Sequence, residues 1–316
     1  MSLAKEKAFR HRHVLGIEAL SRGDVEQIFD AAEAFFEVSR RAVRKVPTLR
    51  GKTIINAFFE PSTRTRTSFE IAGKRLSADV INVSGSSSSV SKGETLLDTC
   101  RTLQAMCPDV IVIRHQASGA ADFVAEKTNV RVINAGDGMH EHPSQALLDA
   151  FALRSRLGSI DGLRIAICGD LMHSRVVRSN ILLWKLMGCE VHVVGPNTLI
   201  PPGIERLGAK VFHSVESALE GADVVMALRI QQERLKSACI PSLREYAKCY
   251  GINQKRLELA KKNALVMHPG PMNRGVEIDP LVADGPQSLI LDQVEAGVAV
   301  RMALLYFLAG DGEYTP

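Results

Sequence analysis

No apolar run in the sequence is long enough to span a bilayer, which takes about 20 consecutive apolar residues. The first residues, MSLAKEKAFRHRHVLG, lack the apolar stretch of a secretory signal. No C-x-x-C pair occurs among the six cysteines, Cys100, Cys107, Cys168, Cys189, Cys239 and Cys249. Their scatter suits neither a zinc site nor a redox motif, and reduced thiols, mostly packing residues, of a cytoplasmic protein are expected. Charge of one sign is also scarce: 39 Lys and Arg face 35 Asp and Glu, a formal net charge of +4. That gives no reason to expect nucleic acid, while local positive charge around an anionic substrate stays open. No internal repeat, coiled coil or long linker is visible.

What is present is a chain of 316 residues, beyond the usual length of one domain, with 46% apolar and 23% charged residues. Two modest cores are therefore expected. Short apolar runs alternate with helical spacing nearly from end to end. Strands are predicted at 52–59, 109–115, 130–136, 163–170, 190–196, 209–214, 223–229 and 264–268. Between them, Phe69, Ala72, Gly73 and Leu76 share one helical face, as do Leu96, Leu97, Cys100 and Leu103. Strands apolar on both faces and joined by helices imply parallel sheets, an α/β fold of two doubly wound domains. The helix predicted from Pro143 can bridge the two groups of strands. The last segment, from Leu291 on, reads as an amphipathic helix able to pack on either half.

Strand 52–59 is followed by Glu60-Pro61-Ser62-Thr63-Arg64-Thr65-Arg66-Thr67 and then a helix. Such a junction points unpaired N–H groups outward and adds the positive end of a helix dipole. Hydroxyls and the Arg64 fork supply further donors for a phosphate dianion. The alternative is an N-cap serine followed by a solvated basic turn.

In parallel sheets, ligands bind beyond the carboxyl ends of the strands. Here those ends carry Arg114, the run His140-Glu141-His142-Pro143-Ser144-Gln145, and Arg229. Buried strands rarely finish in arginine unless an anion or carboxylate waits there. His140 and His142 also fit an H-x-H metal pair with Asp137 or Glu141. His115 and His192 read as structural or surface residues. His142, just before the helix, is placed to donate as a neutral imidazole to a carbonyl oxygen, with the Gln145 amide one turn inside. The segment Cys168-Gly169-Asp170-Leu171-Met172-His173-Ser174-Arg175 stands where a G-x-G-x-x-G fingerprint would stand, but only one of its glycines is present. A dinucleotide cofactor is not expected. Arg175 suits a carboxylate or, alternatively, a surface ion pair.

Seven blocks in order resemble the aspartate and ornithine carbamoyltransferase family: 58–70, 91–99, 113–115, 134–149, 169–180, 228–234 and 268–278. The resemblance covers nearly the whole chain. It implies a carbamoyl phosphate-binding domain of residues 1–143 plus the C-terminal helix 292–316, an aspartate-binding domain of 144–291, and an active site in the cleft. It implies that Ser62, Thr63, Arg64, Thr65, Arg114, His142, Gln145, Gly270 and Pro271 bind carbamoyl phosphate, with Arg64, Thr65, Arg114 and His142 catalytic. Lys92, Arg175, Arg229 and Gln231 would bind aspartate. Ser88 and Lys92 match a loop lent to a neighbouring subunit, which implies a homotrimer with shared sites. Dodecamers with regulatory chains or with dihydroorotase stay open.

Two arginines and a glutamine suit a dicarboxylate better than the cationic side chain of ornithine. The turn His268-Pro269-Gly270-Pro271 also lacks the cysteine of the ornithine enzymes' H-C-L-P. The implied reaction gives N-carbamoyl-L-aspartate and phosphate, an early step of pyrimidine (UMP) biosynthesis, with no metal or cofactor. Glu60 reads as a partner for Arg175 or Arg234 once the domains close, or as a local ion pair.

Overall fold

A computed structural model describes residues 9–85, 93–231 and 239–310. The chain divides into two compact units, 1–144 with 297–316, and 145–296. The first unit begins with α1 (Arg22–Arg40), followed by β1 (Thr53–Phe58), α2 (Thr63–Arg75) and β2 (Asp79–Ser84). Next come α3 (Leu96–Ala105), β3 (Val110–His115), α4 (Ala120–Lys127), β4 (Arg131–Asp137) and α5 (Pro143–Leu157). The second unit continues with β5 (Arg164–Cys168), α6 (Arg175–Leu186), β6 (Glu190–Val194), β7 (Lys210–Phe212), α7 (Val215–Leu219) and β8 (Val224–Ala227). It ends with α8 (Leu243–Tyr250), α9 (Gln254–Leu257), β9 (Leu265–Met267), α10 (Pro280–Ala283) and α11 (Ile290–Ala309). The division between the units falls inside α5 and α11.

The first sheet has the order β2-β1-β3-β4, and every pairing is parallel. Ile55, Ala57, Ile111, Ile113 and Val132 form one core with Cys100 and Leu103 of α3 and Ala121 and Val124 of α4. Successive strand residues point to opposite faces, so Ile54 meets the other helix layer. There the expected face of α2 is buried, Phe69, Ala72, Gly73 and Leu76. A Cβ on Gly73 would meet Val80 Cγ2 at 2.5 Å and Ile54 Cδ1 at 3.1 Å. The glycine lets α2 lie down on the sheet.

The second sheet has the order β7-β6-β5-β8-β9, again all parallel. Ala166, Cys168, Val225, Ala227 and Val266 face Val215, Ala218 and Leu219 of α7, with Leu257 and Val282 below. Both units are thus doubly wound α/β sheets.

Eight of the nine strands coincide with the predicted segments; β2, with the sequence DVINVS, was not among them. It is an edge strand in which no residue is buried and three of six are exposed, and Asp79, Asn82 and Ser84 dilute its apolar character. Two further expectations need correction. Helix α11 is amphipathic only in its first turns; from Ala296 to Leu305 all but Val298 are buried, because the helix runs through a core rather than over one. Packing holds for some thiols and not for others: Cys100 and Cys168 are buried, which pushes both up to about 12, and the partly buried Cys239 packs against Leu199, Ile230 and Tyr246. Cys107 and Cys249 are exposed.

Strand order fixes where ligands can bind. In the first sheet the order reverses between β1 and β3, and in the second between β5 and β8. The crevices beyond those carboxyl ends are the natural ligand sites of open α/β sheets. The carboxyl ends of these four strands and the segments that follow them carry Ser62–Thr65, Arg114, Gly169–Arg175 and Arg229–Gln231.

Candidate active site

The first switch point holds the expected anion cradle, residues 62–65. Helix α2 begins at Thr63 with Ser62 as its N-cap, and the Ser62 side chain makes no capping hydrogen bond. Its first turn holds no acidic residue. The serine is therefore not spent on the helix end, as the simple capping alternative requires. Thr65 is buried, whereas Thr63 and Arg64 are exposed at the helix mouth. Parallel register sets Arg114 beside Phe58. Its guanidinium reaches Ala135 O at 3.3 Å and Glu60 Oε1 at 3.4 Å. Glu60 thus stands against Arg114 as a local ion pair, one of its two readings; Arg234, named in the other, lies outside the described residues.

The turn after β4 is held by Asp137. Its carboxylate accepts from Asn134 Nδ2 (2.7 Å), Gly119 N (2.6 Å) and Glu141 N (3.2 Å), and it pairs with His140 Nδ1 (3.1 Å). Glu141 in turn accepts from Ile17 N at 2.9 Å. These bonds deliver the chain to His142, which is buried at the start of α5 with Nδ1 3.5 Å from Ser144 Oγ. The H-x-H metal alternative does not hold among the described residues. Ligand-type atoms of Asp122, Asp137 and His140 gather within 4.8 Å, but His142 is not in that group. Hydrogen bonds and the His140 pair already occupy the Asp137 carboxylate.

Burial pushes Asp137 up, but its hydrogen bonds outweigh that and hold it below the usual 3.8. The same bond raises His140 above 6.5, against the opposing effect of burial. The pair's stabilisation is therefore complete below pH 6.5 on the histidine side and lost as pH rises through the higher folded value. On the aspartate side it is present above pH 3.8 and lost as pH falls through the lower one. His140→Gln is expected to destabilise most near pH 5.5 and least near pH 9, read by urea denaturation at both. A pH-independent difference would contradict the pairing.

The second switch point is built by β5 and β8. Gly169 has φ +141°, and a Cβ there would meet Leu228 O at 2.7 Å. This glycine, standing where a dinucleotide fingerprint would be, serves the close approach of two strand ends. Beyond it, the buried Asp170 accepts from His173 N at 3.1 Å and from Gln231 N at 3.4 Å. Gln231 Nε2 donates to His173 O at 3.1 Å. The loop after β5 and the residues after β8 are thereby tied together. Arg175 opens α6 and is buried, and Arg229 is half-buried at the end of β8.

Three residues expected at the carbamoyl group, Gln145, Gly270 and Pro271, lie in the same unit. Gln145 donates from Nε2 to Asp149 Oδ1 at 2.9 Å. Gly270 and Pro271, joined by a cis peptide, follow β9, the strand beside β8. Ser88 and Lys92 lie outside the described residues. Sequence reasoning missed Asp149, Glu277 and Gln293, all buried. One signal was available: Asp149 interrupts the apolar run ALLDAFAL, and a charge in a buried helix must be paired.

Comparison with known proteins accords with this geometry. Residues 12–155 match the carbamoyl-P binding domain of aspartate/ornithine carbamoyltransferase, and residues 161–308 its Asp/Orn binding domain. The aspartate carbamoyltransferase catalytic subunit of Sorangium cellulosum (strain So ce56) is 65% identical over 305 residues, 96% of this chain and 95% of that protein. A crystal structure of aspartate transcarbamoylase from Trypanosoma cruzi, in complex with N-(phosphonacetyl)-L-aspartic acid, has a TM-score of 0.85. It is 33% identical and covers 97% of both chains. Ornithine carbamoyltransferase from Thermus thermophilus has a TM-score of 0.83 at 25% identity, over 94% of this chain and 99% of that one. The chain belongs to the aspartate/ornithine carbamoyltransferase family.

Proposed function

We propose that this protein transfers the carbamoyl group of carbamoyl phosphate to the amino group of L-aspartate, giving N-carbamoyl-L-aspartate and phosphate, and so acts early in pyrimidine biosynthesis. The observation that carries the reading is the pairing of chemistry with topology. One switch point offers a helix mouth with hydroxyls and Arg64 and Arg114, suited to a phosphate. The other offers Arg175, Arg229 and Gln231, suited to two carboxylates. Relatives that match along nearly the whole chain carry the same name.

In this reading Ser62, Thr63, Arg64 and Thr65 hold the phosphate, and Thr65, Arg114 and His142 donate to the carbonyl oxygen. Gln145, Gly270 and Pro271 meet the carbamoyl amine. Arg175, Arg229 and Gln231 take aspartate, joined by Lys92. The neutral amine attacks the carbonyl carbon, and the carbonyl π pair moves to oxygen, giving a tetrahedral intermediate whose oxyanion faces those donors. When the carbonyl re-forms, the C–O bond to phosphate breaks. The departing phosphate takes the amine proton, so no protein base is assigned. Two anionic substrates held in line supply most of the remaining acceleration.

Among the described residues no helix is long and apolar enough to cross a membrane, and we place the enzyme in the cytoplasm. The assembly proposed is a homotrimer in which Ser88 and Lys92 serve a neighbouring subunit's site; a native mass of three chains tests it. The bisubstrate compound N-(phosphonacetyl)-L-aspartate tests the substrate pair, since it joins a phosphonate to aspartate. It should raise the melting temperature more than phosphate or aspartate alone at equal concentration. No added shift over phosphate would count against a joint site.

A further inference from the structure

A buried chain of hydrogen bonds joins the two elements assigned to the carbamoyl amine. Gln145 Nε2 and Gln293 Nε2 both donate to Asp149 Oδ1, at 2.9 and 2.7 Å, and Asn180 Nδ2 donates to Oδ2 at 2.9 Å. At its other end Gln293 Oε1 accepts the N–H of His268 at 3.0 Å. His268 Nδ1 then accepts the N–H of Gly270 at 2.8 Å, and its Nε2 lies 3.2 Å from Glu277 Oε1. Asp149 and Asn180 are fully buried, with Gln293 and His268 nearly so.

Hydrogen-bond logic then sets the polarity of the chain. The N–H of His268 is only a donor, so the Gln293 atom facing it is oxygen and its NH₂ faces Asp149. An ionised Asp149 only accepts, so Gln145 must turn its NH₂ toward Asp149 and present its oxygen the other way. The Gly270 N–H is likewise taken up, by His268, which leaves the turn's carbonyls as its available polar groups. Both elements are thus set as acceptors, the complement of an –NH₂ donor.

We propose that Gln293, acting with Asp149, is a positioning residue that fixes Gln145 and the His268–Pro271 turn as acceptors and thereby selects a carbamoyl group through its amine. The proposal rests on the assignment of Gln145 and Gly270–Pro271 given above. Gln293 touches no substrate; it orients the groups that do. Asp149 needs donors from both glutamines, and a change at Gln293 is felt at both ends of the chain.

The test compares two constants of the intact enzyme: the KM for carbamoyl phosphate and the inhibition constant of inorganic phosphate, which has no amine. Gln293→Met keeps the side-chain volume and removes both hydrogen bonds. It should raise the KM about 10-fold or more, the order expected when buried polar partners are lost, and leave phosphate inhibition within twofold. Asp149→Leu, which removes the shared acceptor at similar volume, should show the same selective loss and keeps the proposal testable should Gln293→Met fail to fold. Equal changes in both constants, or none in either, would overturn it. Gln145→Ala is measured in parallel. If that variant alone raises the KM, the positioning role fails and the site assignment stands; if no variant raises it, both fail.

Discussion

Arg114→Ala is expected to lower turnover by about 10²–10³-fold, the cost of removing one donor from a developing oxyanion. The side chain leaves β3 at the first switch point, in register with Phe58 and 3.4 Å from Glu60. That placement, beside the loop that opens α2, suits the proposed role of one guanidinium toward both the carbonyl oxygen and a phosphate oxygen. Arg114→Lys restores charge but not the planar fork, and should recover only part of the loss. Because the change falls in the first unit, the KM for aspartate should move little beside the fall in kcat. Steady-state kinetics with each substrate varied in turn decides it. A loss below about threefold in kcat would remove Arg114 from the donor set, since one good donor alone accounts for far more.

Arg229→Ala gives the second large effect, and of the opposite kind. Truncating one partner of a charge pair costs several kcal/mol, so the KM for aspartate should rise about 10²-fold or more. Carbamoyl phosphate binding, measured without aspartate, should stay within about twofold, because its phosphate is assigned to the other sheet. The local structure should survive. The neighbouring Gln231 is tied through its main chain to Asp170 and through its amide to His173 O, bonds that do not use Arg229. If Arg229→Ala weakened carbamoyl phosphate and left aspartate unchanged, the division of roles between the two switch points would be wrong.

Sequence periodicity made most of the fold legible, for a physical reason. A strand covered on both faces is largely apolar, so β1, β3, β5, β6 and β8 read as runs rich in Ile, Val and Ala, with only Asn56 in β1 and His192 in β6 as buried polar interruptions. The edge strand β2 faces water and carries Asp79, Asn82 and Ser84, so it lacked that signature. The candidate site residues were visible because donors at strand ends break an apolar run: Arg114 after Ile113, Arg229 after Leu228.

Residues that act one step back from the substrate were not visible. Gln293 lies 25 residues from His268 and 144 from Asp149, so only the folded chain brings it to both. Glu277 is an ordinary charged residue in sequence, yet it is buried 3.2 Å from His268 Nε2. For Glu60 the local ion pair is the reading the structure shows, and its partner could not be named from sequence because the pairing with Arg114 depends on two strands being neighbours, which strand order decides.

The most direct test of the account is product formation by the purified protein from carbamoyl phosphate, with aspartate and ornithine supplied in separate reactions. The account predicts carbamoyl-aspartate in the first and no citrulline in the second. Citrulline without carbamoyl-aspartate would contradict the reading of Arg175, Arg229 and Gln231 as a dicarboxylate site, while neither product would contradict the assignment of the reaction itself.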